Sequence, residues 1–71
     1  MTLEAAKIEA AKIVTNAGFK VGSVDYNEVA DVVTVDSREV YQGRSLYGSA
    51  FFSQARRVNG TWKFYANNRP V

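Results

Sequence analysis

The side chains with the clearest capacity for chemistry flank an Asn-Gly pair, Asn59 and Gly60. That pair favours a type I′ turn, because both positions require a positive φ. A two-residue turn fixes the pairing of the strands beside it, and here it places Arg56 opposite Lys63. Like charges that face each other across a sheet are destabilising by roughly 0.2–1 kcal/mol. An anion bound between these two cations would remove that cost.

The alternation of side chains along the same hairpin predicts that two aromatic residues share the face that carries these cations. Basic side chains interleaved with aromatic rings are how sheets bind single-stranded nucleic acid, through phosphate contacts and base stacking. The plainer interpretation is a solvated face or a subunit interface, with a neighbouring carboxylate such as Asp36 or Glu39 neutralising the cations. Both interpretations concern the same candidates for a binding face, which are Phe52, Arg56, Lys63 and Tyr65.

The opposite face of the hairpin is mostly small and aromatic, which predicts that it packs in the core. Its members are Phe51, Ser53, Ala55, Arg57, Trp62 and Phe64. Arg57 is the exception, since its guanidinium can reach solvent near the end of the hairpin while its stem covers Trp62. Arg57 and Trp62 are therefore secondary candidates for binding.

Charge is distributed unevenly along the chain. All seven acidic residues lie at or before Glu39, whereas the residues from Val40 onward include five basic side chains and no carboxylate. Such asymmetry marks an anionic partner, either an acidic protein or a nucleic acid, unless the two halves neutralise each other on folding.

The absent residue types exclude several classes of site. Histidine and cysteine are both missing, which removes disulfides, the usual zinc ligands and the commonest catalytic base. No calcium loop or glycine-rich phosphate loop is present. We therefore expect no enzyme, no cofactor and no metal. No apolar run approaches the roughly 18 residues of a membrane span, and no signal segment is found, which leads us to expect a cytoplasmic protein.

Residues 2–17 are predicted to form an amphipathic helix, with Thr2 as its N-cap and Gly18 just past its end. Ile8 lies in the middle of the polar side and is a candidate oligomer contact. The stripe expected to face the sheet consists of Leu3, Ala6, Ala10, Ile13, Val14 and Ala17.

After Gly18 the pattern changes to strands, predicted over residues 19–26, 32–41, 45–58 and 61–66, with residues 67–71 as a tail. The short connections favour an antiparallel meander. The predicted fold is α+β in a single domain, 1–71. One N-terminal helix packs on a four-stranded, or three-stranded, antiparallel sheet in the order αββββ.

Aromatic residues crowd the C-terminal part of the chain, and one helix cannot cover that many large rings. A chain of this size is also marginally stable on its own. We therefore expect a homodimer or larger assembly, and a non-enzymatic interaction module acting by protein binding or self-assembly. Single-stranded nucleic-acid binding is the alternative. Seven of the nine aromatics lie in the last 31 residues: Tyr41, Tyr47, Phe51, Phe52, Trp62, Phe64 and Tyr65.

The closing pattern of a long strand, Asn-Gly and then TWKFY is similar to the last hairpin of cystatin-like and NTF2-like α+β domains. In those families a curved sheet cradles a helix, and dimers are common. The resemblance implies small-ligand binding as a second alternative. It covers only the C-terminal hairpin, and this chain is shorter than typical NTF2-like domains, so their ligand pocket is not carried over.

Overall fold

The computed structural model describes residues 1–37 and 51–71, together with the backbone of 40–41 and 44–45. Its helix precedes an antiparallel sheet with the strand order β1-β2-β5-β6-β7, and β3 and β4 pair separately. The predicted α+β class is confirmed. The elements are α1 (Leu3–Asn16), β1 (Ser23–Asn27), β2 (Val32–Asp36), β3 (Val40–Tyr41), β4 (Arg44–Ser45), β5 (Phe52–Val58), β6 (Thr61–Ala66) and β7 (Arg69–Pro70).

Both predicted ends of the helix are confirmed. The Thr2 side-chain oxygen accepts a hydrogen bond from the Ala5 backbone N–H at 3.1 Å, as an N-cap does. Gly18 has a φ of 92°, and the Phe19 N–H bonds to the Val14 carbonyl at 3.3 Å, which closes a Schellman motif. The helix therefore stops where only glycine fits without strain.

The core lies between one side of α1 and one face of the sheet. Ser53 is buried there, and its hydroxyl donates a 2.6 Å hydrogen bond to the carbonyl of Ala10. This bond requires the helix backbone to lie close to β5, which small residues at both positions allow. The buried apolar residues are Ala6, Ala10, Val14, Val33, Val35, Ala55 and Trp62.

The predicted register of the last hairpin is confirmed. Asn59 and Gly60 have φ values of 52° and 79°, as a type I′ turn requires. Arg56 pairs with Lys63 across the two strands. Each side chain of the hairpin therefore lies on the face of the sheet that the alternation predicted.

The predicted tail is instead a second hairpin. Asn67 and Asn68 have φ values of 48° and 66°, a conformation that asparagine tolerates better than most residues. The Asn67 side-chain oxygen also accepts a 3.0 Å hydrogen bond from the Phe52 N–H. The chain turns back at this point, and β7 becomes a fifth strand of the main sheet.

The remaining predicted strands are longer than the observed ones. The first begins at Ser23 rather than at residue 19, and the second leaves the main sheet after Asp36. The Schellman turn at the helix end involves Phe19, which is therefore not part of β1. Glu39, Tyr47 and the side chain of Tyr41 lie outside the described residues.

Candidate functional site

The main sheet has one face packed on α1, while the opposite face lies away from the helix. We call this second face the open face. The structure brings Phe52, Arg56, Lys63 and Tyr65 together on it, as the alternation predicted. Two rows of cross-strand partners define its centre: Asp25, Thr34, Gln54, Tyr65 and Pro70 in one, and Asn27, Val32, Arg56 and Lys63 in the other.

Arg56 is held in one orientation by its neighbours. Its Nε and Nη2 atoms donate to Oε1 of Gln54 at 3.0 and 2.6 Å. Nη2 also donates to Oδ1 of Asn68 at 3.3 Å. The guanidinium carbon lies 4.1 Å from the centre of the Tyr65 ring, within cation–π range. Arg56 therefore covers the ring that a bound base would need for stacking.

Lys63 is the exposed member of the cation pair. Within the described parts of the chain, no carboxylate forms an ion pair with Lys63 or Arg56. Glu39, one of the two predicted neutralising residues, lies outside those parts. Among residues 1–37 and 51–71, the facing cations are therefore not neutralised by an ion pair with a carboxylate.

The charges of the open face are separated by strand. Asp25 on β1 and Asp36 on β2 supply carboxylates on one side of the face. Arg56 on β5 and Lys63 on β6 supply cations on the other side. Between them lie uncharged polar groups, including the Gln54 amide, which donates to the Thr34 hydroxyl at 3.1 Å. Within residues 1–37 and 51–71, the face thus has an acidic half and a basic half.

Arg57 belongs to a different network, on the face that packs against the helix. Its Nε and Nη2 atoms donate to the two carboxylate oxygens of Asp31 at 2.6 and 3.1 Å. The Tyr26 hydroxyl donates to the same carboxylate at 2.7 Å. The predicted contact with Trp62 is present, with the guanidinium carbon 4.8 Å from the ring centre. This network ties the β1–β2 turn to the last hairpin.

Sequence reasoning missed the role of Asp31 in this network. Asp31 closes the β1–β2 turn with a φ of 58°, and its carbonyl accepts a 3.1 Å hydrogen bond from the Arg57 N–H. An aspartate at the end of a turn is a signal for this conformation, because aspartate tolerates the left-handed region. The contact with Arg57, however, depends on the pairing of β2 with β5.

This network predicts an acid-sensitive component of stability. The hydrogen bonds from Arg57 and then from Tyr26 lower the pKa of Asp31. A carboxyl group whose pKa is lowered by folding stabilises the protein above its unfolded pKa, and that contribution is lost as pH falls through the folded pKa. We expect urea midpoints to decline below about pH 4. The Asp31→Asn variant has an amide that does not titrate at this position, and asparagine tolerates the same φ. Its decline with falling pH is therefore expected to be shallower. Parallel acid profiles for the two proteins would contradict the assignment.

A groove lies between α1 and the β6–β7 edge of the sheet, with a volume of about 580 Å³. Its apolar wall includes Ile13 and the Trp62 and Phe64 rings, while Glu9 contributes a carboxylate. Sequence reasoning missed this groove, because it exists only where the helix lies over β2 and β5 and leaves the edge of β6 less covered. The full lining is Glu9, Ile13, Trp62, Lys63, Phe64, Tyr65, Pro70 and Val71.

Ile8 is exposed on the side of the helix away from the sheet, with 57% of its surface accessible. Its assignment as an oligomer contact stays a prediction.

No group of three or more metal-binding side chains occurs in residues 1–37 and 51–71. In the described part of the chain, no helix has the length and apolar character needed to cross a bilayer. Comparison with protein families, curated proteins and solved structures gives no match.

Proposed function

We propose that this protein is an interaction module that self-associates through the open face of its sheet and acts by binding rather than by catalysis. The observation that carries the proposal is the division of that face into an acidic half and a basic half. Asp25 and Lys63 are both exposed and lie on β1 and β6. Three strand spacings, about 14 Å, separate them across the sheet, and their rows are offset by two residues, about 7 Å, along the strands.

A face divided in this way is complementary to a second copy of itself. A two-fold axis that runs along the strands, between β2 and β5, places β1 of each copy over β6 of the other. Asp25 of one copy then faces Tyr65 of the second copy, about 7 Å along the strand from Lys63 and within reach of its long side chain, and the same contact forms twice. The partly buried Phe52 and Val32 side chains lose their remaining contact with water in the same step.

The size of the open face sets the expected affinity. Five strands and about five residues along each strand cover roughly 300 Å² of sheet. This is less than the roughly 800 Å² per partner of a standard interface. We therefore expect a weak association that depends on protein concentration and on salt, since its main contacts are exposed charges.

The test exchanges the charges of the two halves. Asp25→Lys and Lys63→Glu each bring like charges together in a homodimer. Each variant alone is therefore expected to sediment as a monomer at a protein concentration several times the wild-type dissociation constant. A mixture of the two variants restores two attractive contacts, and we expect it to form a heterodimer at wild-type concentrations. Lys20→Glu is the control for Lys63→Glu, because it makes the same charge change at a residue outside the described strands. It is expected to behave as the wild type.

Three results would count against this proposal. The first is a wild-type protein that remains monomeric at millimolar concentration. The second is a mixture of Asp25→Lys and Lys63→Glu that associates no better than either variant alone. The third is dissociation of the wild-type assembly by Ile8→Asp, which would move the interface to the outer side of the helix.

Single-stranded nucleic acid is the competing partner, favoured by Arg56 and Lys63 on a face with two aromatic rings. The position of Arg56 works against it, because a base can stack on Tyr65 only after the guanidinium leaves Gln54. Binding of a labelled oligonucleotide whose log K falls with log salt would favour this partner over self-association. We also propose a cytoplasmic location, which the absence of cysteine from the sequence supports.

A further inference from the structure

The edge of the sheet at β6 is paired along only part of its length. β7 pairs Pro70 with Tyr65 and Arg69 with Ala66. The Val71 N–H extends this pairing by donating to the Phe64 carbonyl at 3.1 Å. No strand of the described residues pairs with the beginning of β6, residues 61–63, on this side.

The backbone of Trp62 points toward this unpaired edge. A two-residue hairpin closes on a hydrogen-bonded pair, which here is Val58 and Thr61. Hydrogen-bonded and non-hydrogen-bonded pairs alternate along an antiparallel ladder. Trp62 is therefore a non-hydrogen-bonded partner of Arg57, and its N–H and C=O are directed away from β5. These two groups are available to an added strand.

The side chains of such a strand would reach two different environments. A residue placed opposite Trp62 shares the helix side of the sheet and points into the groove, beside Ile13 and Phe64. A residue placed opposite Lys63 points to the open face, beside an exposed cation. The first position favours an apolar side chain and the second favours a carboxylate.

We propose that the groove and the unpaired edge of β6 bind an extended peptide in which an acidic residue is followed by an apolar one. The peptide runs in the direction of β7 and adds to the sheet by strand pairing, with its apolar side chain in the groove. The groove volume of about 580 Å³ accommodates such a side chain with its flanking backbone. This site shares Lys63 with the self-association proposed above, but its groove and its unpaired backbone edge are not part of that contact.

The probe for this site is a blocked peptide, acetyl-Glu-Leu-Thr-amide, added to the full chain. We expect two-dimensional NMR to show the largest shifts at the Trp62 amide and indole, and the fluorescence of Trp62, the one tryptophan in the sequence, to change with the same affinity. Methylation of the leucine nitrogen removes one ladder hydrogen bond and is expected to weaken binding by about threefold to tenfold. A peptide with serine in place of leucine, or with lysine in place of glutamate, is also expected to bind more weakly.

Two protein variants locate the binding site. Ile13→Gln removes part of the apolar wall and is expected to weaken peptide binding by at least about fivefold, the loss of one buried aliphatic contact. Ile8→Gln makes the same change on the opposite side of the helix and is the matched control, expected to bind as the wild type. Ile13 lies off the open face, so Ile13→Gln leaves the mixing behaviour of the charge-exchanged variants unchanged.

Several outcomes would overturn the peptide site. These are the absence of any shift at Trp62 with millimolar peptide, equal binding of the N-methylated peptide, and equal weakening by Ile8→Gln and Ile13→Gln. If Ile13→Gln does not fold, the peptide series on the wild-type protein decides the question. A failed peptide titration with successful heterodimer formation leaves the self-association standing, and the reverse pattern leaves the peptide site standing.

Discussion

Replacing Trp62 with alanine is expected to lower the free energy of unfolding by about 3–5 kcal/mol, the range for truncating a buried aromatic residue. Trp62 is 8% exposed and belongs to the core cluster under α1. Its indole N–H also donates a 3.2 Å hydrogen bond to the Met1 carbonyl. A domain of this length has a total stability of roughly 4–11 kcal/mol, so the loss is a large fraction of the total. Urea unfolding followed by circular dichroism measures the loss.

Trp62→Phe is the matched control, because it keeps a ring in the core while it removes the indole hydrogen bond and part of the ring volume. Its expected loss is about 1–2 kcal/mol, less than that of the alanine variant. If alanine and phenylalanine cost the same, or if alanine costs less than about 1 kcal/mol, the ring does not anchor the helix to the hairpin.

The second large effect is expected from Ala10→Leu. Ala10 is fully buried, and its carbonyl accepts the 2.6 Å hydrogen bond from Ser53. A leucine side chain cannot fit where the helix backbone lies this close to β5. We expect a loss of about 1–3 kcal/mol from overpacking. Breaking the Ser53 bond would add about 1 kcal/mol.

Ala5→Leu provides the comparison for this variant. Ala5 lies on the same helix but is partly exposed, and alanine and leucine have similar helix propensities. Its stability is expected to stay within about 0.5 kcal/mol of the wild type. The measurement is the urea midpoint of each variant. A leucine at position 10 that is tolerated as well as one at position 5 would mean that the helix packs less closely on the sheet than the structure shows.

Local signals were sufficient to predict the helix and the last hairpin. Thr2 and Gly18 act within one turn of the helix, so their roles do not depend on the rest of the fold. Asn59 and Gly60 determine the register of two adjacent strands, and the register then assigns each side chain to a face. The four candidates for the open face followed from that register alone.

The features that sequence reasoning missed depend on contacts between distant elements. Asp31 meets Arg57 only because β2 pairs with β5, and the groove exists only because the helix lies off the edge of β6. β7 is an intermediate case. Asn67 and Asn68 are residues that tolerate a positive φ, but their turn is supported by the bond to the Phe52 backbone, which tertiary structure supplies.

Part of the predicted aromatic excess is covered within the chain, since Trp62 is buried under α1 and Phe51 and Phe64 pack against the same core. Phe19 also stacks on Phe51, with ring centres 5.4 Å apart. The sequence pattern did not predict this contact, which covers part of the Phe51 ring. The expected self-association is therefore supported mainly by the division of charge across the open face.

The bonds from the helix segment to the hairpin also bear on how the chain folds. β5, β6 and β7 are consecutive strands joined by two-residue turns, so they pair at little entropic cost. The bond from Ser53 to Ala10 spans 43 residues, and the bond from Trp62 to Met1 spans 61. Contacts of this kind raise the contact order, which slows folding. We therefore expect docking of the helix, rather than pairing of the C-terminal hairpins, to limit the folding rate.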